Sequence, residues 1–377
     1  MISVEELLQQ LVERGGSDLH ITAGAPPKIR VDGKLISTEH AILDPETTQK
    51  LVYSILDNTQ IARFEKDLEL DMSFGIGGLG RFRTNVFMQR GAVGAVLRVI
   101  PYEIKGFRDL GLNEDLCAQI ASTPKGLVLV TGATGSGKST TLASMVDYVN
   151  RTRNEHIITI EDPIEFVHKN KQCLVNQREI GSDTHGFKES LRAVLRQDPD
   201  VILVGEMRDM ETIEAALTLA ETGHLTFGTL HTSDCVQTIN RIVDVFPAYQ
   251  QQQIRTVLSF VLMAVFCQQL LPRADGRGRA LAAEIMIANS AVRSLVRDNK
   301  AHQIYSIIQT SGKLGMTTMN QSLFQLVQKR VVSYQDAYER TSDPDDFVRT
   351  FQAQGAVVPG TPGAGGAQKV GPKPGAR

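Results

Sequence analysis

The stretch LVLVTGATGSGKS, residues 127–139, decides the fold of this chain. Its second part, residues 132–139, matches G-x-x-x-x-G-K-[ST] at every fixed position, which is the pattern of a phosphate-binding loop. Apolar β-forming residues precede the loop, and residues 140–146 follow it with helical spacing. The order strand, loop, helix places a helix N-terminus at the phosphates, as this kind of site requires. An ordinary glycine-rich turn is the alternative, and this context disfavours it.

Each residue type in the loop has a chemical reason. Glycines let successive backbone N–H groups face phosphate oxygens, Lys138 reaches the β- and γ-phosphates, and the Ser139 hydroxyl ligates magnesium. The pattern therefore predicts ATP and Mg²⁺ as ligands. The predicted nucleotide-binding residues are Gly132, Thr134, Gly135, Ser136, Gly137, Lys138, Ser139 and Thr140.

From about residue 115 onward, short apolar runs alternate with helical segments. The runs are Leu127–Val130, Ile157–Ile160, Val201–Val204 and Leu225–Leu230. This alternation predicts an α/β domain with a mostly parallel sheet that is covered on both faces. Ligands of such sheets bind at the carboxyl ends of the strands.

Polar residues with catalytic potential follow all four of these runs. Glu161, Asp162 and Glu165 come after the second run, and one of them is expected to act as a general base or to position water. Glu206 follows the third run, where P-loop enzymes usually keep a magnesium-holding aspartate. Glu206 is therefore predicted as a metal-holding residue beside Ser139. The alternative for these acids is a solvated or helix-capping carboxylate.

His224 and His231 bracket the fourth run, and His231 is expected to donate a hydrogen bond to the γ-phosphate. A zinc site is disfavoured, because two histidines an odd number of residues apart in a strand point to opposite faces. Cys235 completes no standard ligand spacing either. A merely structural histidine pair is the other alternative.

The first 100 residues have a different pattern. A helix is predicted over residues 4–12, a hairpin over 28–35 with an Asp32-Gly33 turn, and a strand pair over 81–88 and 95–100. This predicts an α+β domain, followed by a linker over residues 101–115. On this domain Arg81 and Arg83 share one sheet face, and Arg98 lies on the next strand. Exposed strand arginines are usually solvated, so the residues alone give them no function.

Composition narrows the class of protein. The chain has 377 residues, 42% of them hydrophobic, which is enough for two cores. A net charge of −2 gives no support for nucleic-acid binding.

The four cysteines are scattered, which suits reduced thiols, and the N-terminus does not resemble a signal peptide. The longest apolar run, residues 257–267, is too short for a bilayer span. These features predict a cytoplasmic protein, and the Gly/Pro-rich residues 353–377 are predicted to be a disordered tail.

The chain resembles the secretion ATPase superfamily, the hexameric motors of type IV pili and type II secretion. The resemblance runs from residue 17 to about residue 345. It includes the phosphate-binding loop, an acidic box at 161–165, a Walker B box at 204–209 and a histidine box at 224–231. Within the superfamily, the chain is similar to the retraction ATPases of twitching motility. It shows no four-cysteine insertion or additional N-terminal domain of the kind that assembly motors usually carry.

A late helix supports the same comparison. Retraction ATPases carry a helix reading AIRNLIRE, and residues 291–298 here read AVRSLVRD, which keeps Arg293 and Arg297. The differences leave open whether the chain is the retraction motor or its accessory paralogue. An assembly or type II secretion motor, a nucleotide-gated adaptor without turnover and a nucleic-acid translocase are the further alternatives.

The resemblance implies a PAS-like domain over residues 1–100, a RecA-like ATPase domain over 116–352 and a homohexamer. It implies an inner-membrane pilus platform protein as partner, an accessory paralogue as a second one, and a place at the cytoplasmic face of the inner membrane. ATP hydrolysis is expected to change the interdomain angle through the linker. The implied roles are Glu165 as base, Glu206 on magnesium, His231 at the γ-phosphate, and Arg81, Arg83 and Arg98 as arginines that reach the nucleotide.

Overall fold

A computed structural model describes residues 2–31, 33–100 and 103–353. The described chain forms two compact units. The first contains Met1–Ile104 together with Pro163–Lys169, and the second contains Lys105–Asp162 together with Asn170–Arg377. Asp32 of the predicted hairpin turn, residues 101 and 102 of the predicted linker, and residues 354–377 of the predicted tail lie outside the described residues.

The first unit contains an antiparallel sheet and helices packed on it. Its helices are α1 (Val4–Glu13), α2 (Pro45–Tyr53) and α3 (Asn58–Asp67). Its strands are β1 (Asp18–Thr22), β2 (Lys28–Val31), β3 (Lys34–Ser37), β4 (Glu69–Ile76), β5 (Gly80–Gln89) and β6 (Ala92–Ile100). The sheet order is β3-β2-β1-β6-β5-β4, and every pairing is antiparallel. The predicted α+β character of this part is confirmed.

Helix α1 shows how local sequence builds this unit. Ser3 is its N-cap, and the Ser3 side chain accepts a hydrogen bond from the backbone N–H of Glu6. Ser, Thr, Asp and Asn are favoured at this position because their side chains satisfy otherwise unpaired N–H groups. The helix buries one apolar face in the core of the unit. The buried residues of this face are Val4, Leu7, Leu8 and Leu11.

The second unit is built on a larger sheet. Its strands are β7 (Gly126–Thr131), β8 (His156–Glu161), β9 (Leu174–Glu179), β10 (Val201–Val204), β11 (Leu225–Leu230), β12 (Leu262–Pro272) and β13 (Arg279–Ile287). Its helices are α4 (Glu114–Ala121), α5 (Lys138–Thr152), α6 (Phe187–Val194), α7 (Met210–Glu221), α8 (Cys235–Asp244), α9 (Ala248–Val261), α10 (Ser290–Arg297), α11 (Ile304–Thr310), α12 (Met319–Gln328), α13 (Tyr334–Tyr338) and α14 (Pro344–Ala353). Short 3₁₀ helices span Ala301–Gln303 and Gly312–Leu314.

The strand order in this sheet is β13-β12-β7-β11-β10-β8-β9. All neighbouring strands run parallel except the β12–β13 hairpin. Every residue of β7, β10 and β11 is buried. Successive side chains of a strand point to opposite faces. Leu127 and Leu129 accordingly lie in one hydrophobic core and Val128 and Val130 in another. The predicted α/β sheet with both faces covered is therefore confirmed.

The apolar run 257–267 is divided between a helix and a strand, which the sequence did not indicate. Its first part ends helix α9 at Val261, and its second part begins β12 at Leu262. The β12–β13 hairpin extends the sheet beside β7. Among the described residues, no helix has both the length and the hydropathy needed to cross a bilayer.

The compact units differ from the sequence-based boundaries at two places. Residues 105–115, predicted as linker, group with the second unit, and Pro163–Lys169, predicted within the ATPase domain, groups with the first. Helix α14 extends through Ala353, where the tail was expected to begin. The domain assignment itself stays a prediction.

Phe227 lies in β11, between β7 and β10, and its side chain is fully buried. We expect Phe227→Ala to lower the free energy of unfolding by about 3–5 kcal/mol, because it removes buried apolar surface and leaves a cavity. Chemical denaturation followed by circular dichroism measures the change. Tyr249→Ala is the matched control, since Tyr249 is 82% exposed and exposed sites usually change stability by about 0.5 kcal/mol or less. Equal losses in the two variants would contradict the burial assignment.

Candidate nucleotide-binding site

The loop after β7 has the backbone that its glycines permit. Gly132 has a φ of +137°, and a Cβ built there would lie 2.4 Å from the carbonyl oxygen of Gln268 and 2.6 Å from Ser136 Oγ. Only glycine fits this close approach. Gly137 is the N-cap of α5 with a φ of +93°, so the cap residue itself puts no side chain in front of the first N–H groups of that helix. Backbone donors at such a terminus bind anions.

Two side chains of the loop are arranged for a ligand with several acceptor oxygens. Lys138 Nζ is buried and donates to the carbonyl oxygens of Gly132 at 2.8 Å and Ala133 at 3.1 Å. Ser136 Oγ is buried and has no hydrogen-bond partner among the described residues. A buried hydroxyl without a partner is costly. A phosphate placed in the loop offers the acceptors that these donors need.

The predicted nucleotide-binding residues lie in one continuous stretch, from the loop after β7 into the first turn of α5. Thr134 and Gly135 are exposed at the tip of the loop, whereas Ser139 and Thr140 are half-buried in the first turn of α5. These residues therefore surround the same helix N-terminus. The whole set is local in the chain, and its role in nucleotide binding stays a prediction.

The register of the sheet brings three further strand ends to the loop. Thr131, directly before Gly132, is paired with Leu230, directly before His231. Val204 is paired with Gly228 of β11 and with Ile160 of β8. Parallel strands end at the same edge of a sheet. The polar residues that follow β7, β8, β10 and β11 therefore share one edge.

Glu206 is the centre of a charge cluster at this edge. Its side chain is 19% exposed, and it accepts from Arg208 Nε at 2.5 Å and from His231 Nε2 at 2.7 Å. Burial favours a higher pKa for Glu206, but the hydrogen bonds and charge of Arg208 and the contact with His231 outweigh it. The net result is a pKa below the usual value, which keeps Glu206 an anion.

Close backbone packing holds this cluster in place. A Cβ at Gly205 would lie 3.0 Å from the carbonyl oxygen of Ile160, so glycine lets β10 approach β8 where both strands end. Thr229 Oγ1 donates to the carbonyl oxygen of Gly205 at 2.5 Å, and the backbone N–H of Met207 donates to the carbonyl oxygen of Thr229. These contacts position Glu206 and His231 relative to each other.

The acidic box is divided between the two compact units. Glu161 ends β8, and its Oε1 accepts from Thr159 Oγ1 at 2.6 Å and from Gln177 Nε2 at 3.1 Å. Asp162 follows it and is exposed. Glu165 is also exposed but lies in Pro163–Lys169, which belongs to the first unit. The roles predicted for these carboxylates stay predictions.

The structure does not bring His224 to the nucleotide edge. His224 precedes β11, at the opposite end of that strand from His231. Its Nδ1 lies 2.9 Å from the carbonyl oxygen of Leu219 and 3.1 Å from Thr222 Oγ1. His224 therefore stabilises the turn between α7 and β11, which is the structural role that the sequence left open.

The three predicted arginines lie on adjacent strands of the first unit. Arg81 and Arg83 alternate with buried Phe82 and Thr84 on β5, so they share a face as predicted. Arg83 is paired in register with Arg98 on β6. Arg81 donates to Ser73 Oγ at 2.7 Å, and Arg98 Nε donates to Asp18 Oδ1 at 2.8 Å. Their predicted contact with nucleotide stays a prediction.

The two arginines of the late helix have different surroundings. Arg293 Nη1 donates to the carbonyl oxygens of Ser259 and Phe260, both at 2.6 Å, near the C-terminus of α9. Cations at this end of a helix are stabilised by its dipole. Arg297 is exposed and lies 3.7 Å from Asp298. Arg293 therefore holds α10 against α9, whereas Arg297 is available at the surface.

Sequence reasoning missed Arg208, which pairs with the carboxylate of Glu206. Its position two residues after Glu206 in the Walker B box is the signal that could have indicated it. Thr229 was also missed, because a threonine inside an apolar strand resembles any other β-former.

A phosphate-binding loop, an anionic carboxylate and a histidine at one edge of a parallel sheet are the arrangement of a nucleotide-binding α/β protein. The family model "Type II/IV secretion system protein" matches residues 1–340. The chain belongs to this family.

Three curated relatives match along most of their length. The type IV pilus retraction ATPase PilT of Pseudomonas aeruginosa is 51% identical over 346 residues, which is 92% of this chain and 100% of that protein. A twitching motility protein of Neisseria gonorrhoeae is 47% identical over 321 residues, covering 85% of this chain and 86% of the relative. The type IV pilus ATPase PilU of Pseudomonas aeruginosa is 41% identical over 343 residues, covering 91% of this chain and 90% of the relative.

Solved structures agree with the fold. A crystal structure of the pilus retraction motor PilT with bound ADP matches with a TM-score of 0.87 and 51% identity, covering 93% of this chain and 100% of that one. The ATPase DotB of Legionella pneumophila matches with a TM-score of 0.75 and 27% identity, covering 89% and 94% of the two chains. These matches confirm the predicted class, an α+β part followed by a parallel-sheet ATPase part. The predicted resemblance to pilus retraction ATPases is likewise confirmed.

The lowered pKa of Glu206 makes its contribution to stability pH-dependent. In the unfolded chain the Glu206 carboxylate takes up a proton near pH 4.5, and in the folded chain it does so at a lower pH. The stabilisation is therefore fully present above pH 4.5 and is lost as the pH falls through the folded pKa. We expect Glu206→Gln to cost about 1 kcal/mol at neutral pH and less as the pH decreases. Urea unfolding of both proteins across this range measures the difference.

The control for this prediction is Glu214→Gln, since Glu214 is exposed on α7. This variant should keep the acid dependence of the wild-type protein. A stability difference between wild type and Glu206→Gln that stays constant with pH would contradict the prediction.

Proposed function

We propose that this chain is a P-loop ATPase that powers retraction of type IV pili. The observation that carries the proposal is the register of β7, β11, β10 and β8, which puts the loop, His231 and Glu206 at one sheet edge. The identity of 51% to a pilus retraction ATPase over the full length of that relative supports the biological role.

The loop binds the phosphates of ATP. Backbone N–H groups at the start of α5 and the ammonium of Lys138 donate to the phosphate oxygens, and Ser136 Oγ gains the partner that it lacks. This exchange requires Lys138 to leave the loop carbonyls at 2.8 and 3.1 Å that it contacts here. The same donors stabilise the negative charge that develops on the transferred phosphoryl group.

Ser139 and Glu206 are the residues that hold Mg²⁺. The Ser139 hydroxyl lies in the first turn of α5, and Glu206 is an anion whose neighbours keep it charged. Hard oxygen ligands of this kind suit Mg²⁺, which these two residues would hold and which would supply positive charge to the phosphates. Glu206 has to release or share Arg208 for this contact. Arg208 is then available for a phosphate oxygen.

His231 and Glu165 carry the remaining roles. His231 follows β11 next to the loop and donates to the γ-phosphate, and its contact with Glu206 at 2.7 Å orients the ring. Glu165 acts as the base for the attacking water, as in the family that the chain resembles. Arg81, Arg83 and Arg98 act as charge-stabilising arginines of the kind that raise turnover by about 10³–10⁵.

The assembly proposed is a homohexamer at the cytoplasmic face of the inner membrane, attached through a pilus platform protein. The PilU relative, at 41% identity, supports an accessory paralogue as a partner of this chain. It also supports the second candidate function, in which this chain is itself the accessory paralogue. The higher identity to PilT favours the retraction motor itself.

Lys138→Ala tests the loop directly. We expect it to lower ATP turnover by roughly 10²-fold or more, because a cation facing the developing charge is removed. Binding of a fluorescent ATP analogue and phosphate release by the purified chain measure the two effects separately. Lys188→Ala is the matched control, since Lys188 pairs with Glu211 at the surface of the same unit. Turnover by folded Lys138→Ala at the wild-type rate would exclude this loop as the ATP site.

A deletion strain tests the direction of the motor. We expect excess surface pili without surface motility, restored by the wild-type gene and not by Glu206→Gln, because the variant binds ATP but cannot complete the magnesium site. Pilus counts by electron microscopy and twitching-zone diameters are the measurements. Loss of pili would instead indicate an assembly motor. Retained retraction with reduced force would indicate the accessory paralogue, and unchanged pili would place the chain in another secretion system.

A further inference from the structure

A second group of potential ligands lies inside the second unit, away from the solvent. Cys235 and Cys267 are 0% exposed and Glu284 is 3% exposed. Cys235 is the first residue of α8, Cys267 lies in β12, and Glu284 lies in β13. Cys267 and Glu284 are cross-strand partners, so their side chains share a face of the sheet. The two sulfurs and a carboxylate oxygen all lie within 4.8 Å of one another.

We propose that Cys235, Cys267 and Glu284 bind a thiophilic divalent cation of the Zn²⁺ class, separately from the magnesium of the nucleotide site. The two Sγ atoms are 3.7 Å apart. Two thiolates on one tetrahedral Zn²⁺, each about 2.3 Å from the ion, are separated by about 3.8 Å. The cluster therefore has the sulfur spacing of a zinc site before an ion enters. Thr238 Oγ1 borders the cluster, 3.8 Å from Cys267 Sγ.

The surroundings of the cluster suit its charge. Two thiolates, one carboxylate and Zn²⁺ carry one net negative charge. Glu284 accepts from the backbone N–H groups of Cys235 at 2.8 Å and Met319 at 3.4 Å. Cys235 and Met319 are the first residues of α8 and α12, and helix N-termini stabilise negative charge. The cluster thus has positive helix ends beside its carboxylate.

The hydroxyl of Thr131 provides a further outer contact. Thr131 Oγ1 donates to Cys267 Sγ at 3.0 Å. Donors of this kind orient metal ligands and tune their basicity. Burial raises the pKa of the Cys235 thiol and of the Glu284 carboxyl. Thiol and carboxyl ligands bind a metal in their deprotonated forms, so a bound ion would oppose this effect of burial.

A cystine is the other product that two close sulfurs allow. It accounts for the Cys235–Cys267 distance but gives no role to Glu284, whose carboxylate reaches the same point from a third element. A metal ion uses all three groups and ties α8, β12 and β13 together. Because β12 is paired with β7 up to Thr131, such an ion braces the strand end that carries the phosphate-binding loop.

Cobalt titration of the metal-free full-length chain tests the proposal. Co²⁺ bound by thiolates gives a sulfur-to-metal charge-transfer band and the visible bands of a tetrahedral ion. We expect these bands to saturate at a single equivalent and to disappear when Zn²⁺ is added. The absence of the bands would overturn the proposal. Loss of two titratable thiols on mild oxidation, without any cobalt bands in the reduced protein, would identify a cystine instead.

Substitutions of Cys235, Cys267 and Glu284 test whether these residues bind the ion. We expect Cys235→Ser and Cys267→Ser to lose the charge-transfer band, and Glu284→Gln to weaken Co²⁺ binding by roughly tenfold or more. Cys117→Ser and Cys173→Ser are the matched controls, since both remove a buried free thiol elsewhere in the unit. They should keep the band. A band that persists in both Cys235→Ser and Cys267→Ser would overturn the assignment.

Thermal unfolding with and without Zn²⁺ gives a second readout that does not depend on ATP turnover. Zn²⁺ should raise the melting temperature of the wild type and of Cys173→Ser, and should leave the melting temperature of Cys267→Ala unchanged. If Cys267→Ala does not fold, Glu284→Gln and Cys235→Ala provide the comparison. A zinc-induced shift that is equal in all variants would contradict the site. The outcome is independent of the proposed motor function, which the Lys138→Ala experiment addresses separately.

Discussion

The backbone pairing of β7 with β11 on one side and β12 on the other is the constraint on which the second unit depends. A buried strand has to satisfy its N–H and C=O groups through its neighbours, and a shift of one residue would turn every side chain to the opposite face. With β7 buried at every position, its register is strongly specified. That register determines where the loop begins and which residues of the neighbouring strands end beside it.

The charge cluster at the sheet edge depends on this register. Glu206 and His231 are separated by a helix and a strand in sequence, yet they meet at 2.7 Å because β10 and β11 are paired. Arg208 contributes the positive charge that keeps Glu206 ionised against the effect of burial. The same pair sets a condition for function. In the proposed magnesium site, a cation at Glu206 would compete with Arg208, so ligand binding and rearrangement of this ion pair would be linked.

The buried cluster of Cys235, Cys267 and Glu284 contacts the end of β7 that leads into the loop. Thr131 is the last residue before the loop, and it contacts Cys267 through its hydroxyl. This contact and the pairing of Cys267 with Thr131 connect the cluster to the start of the loop. The loop backbone is closely packed at Gly132, where the nearest atom to an added Cβ belongs to Gln268 on β12. Packing around β12 thus supports the proposed nucleotide site, although β12 brings no residue of the sequence motif.

The sequence by itself determined the features that depend on short stretches of chain. The loop over residues 132–139, the helix after it and the four buried strands were predictable because glycine conformations and hydrophobic runs act locally. The β12–β13 hairpin was not, because the apolar run 257–267 has no period that separates helix from strand. Only tertiary structure decided that His231 meets Glu206, that His224 does not, and that Cys235, Cys267 and Glu284 converge. Those contacts join distant segments through sheet register, which no local pattern specifies.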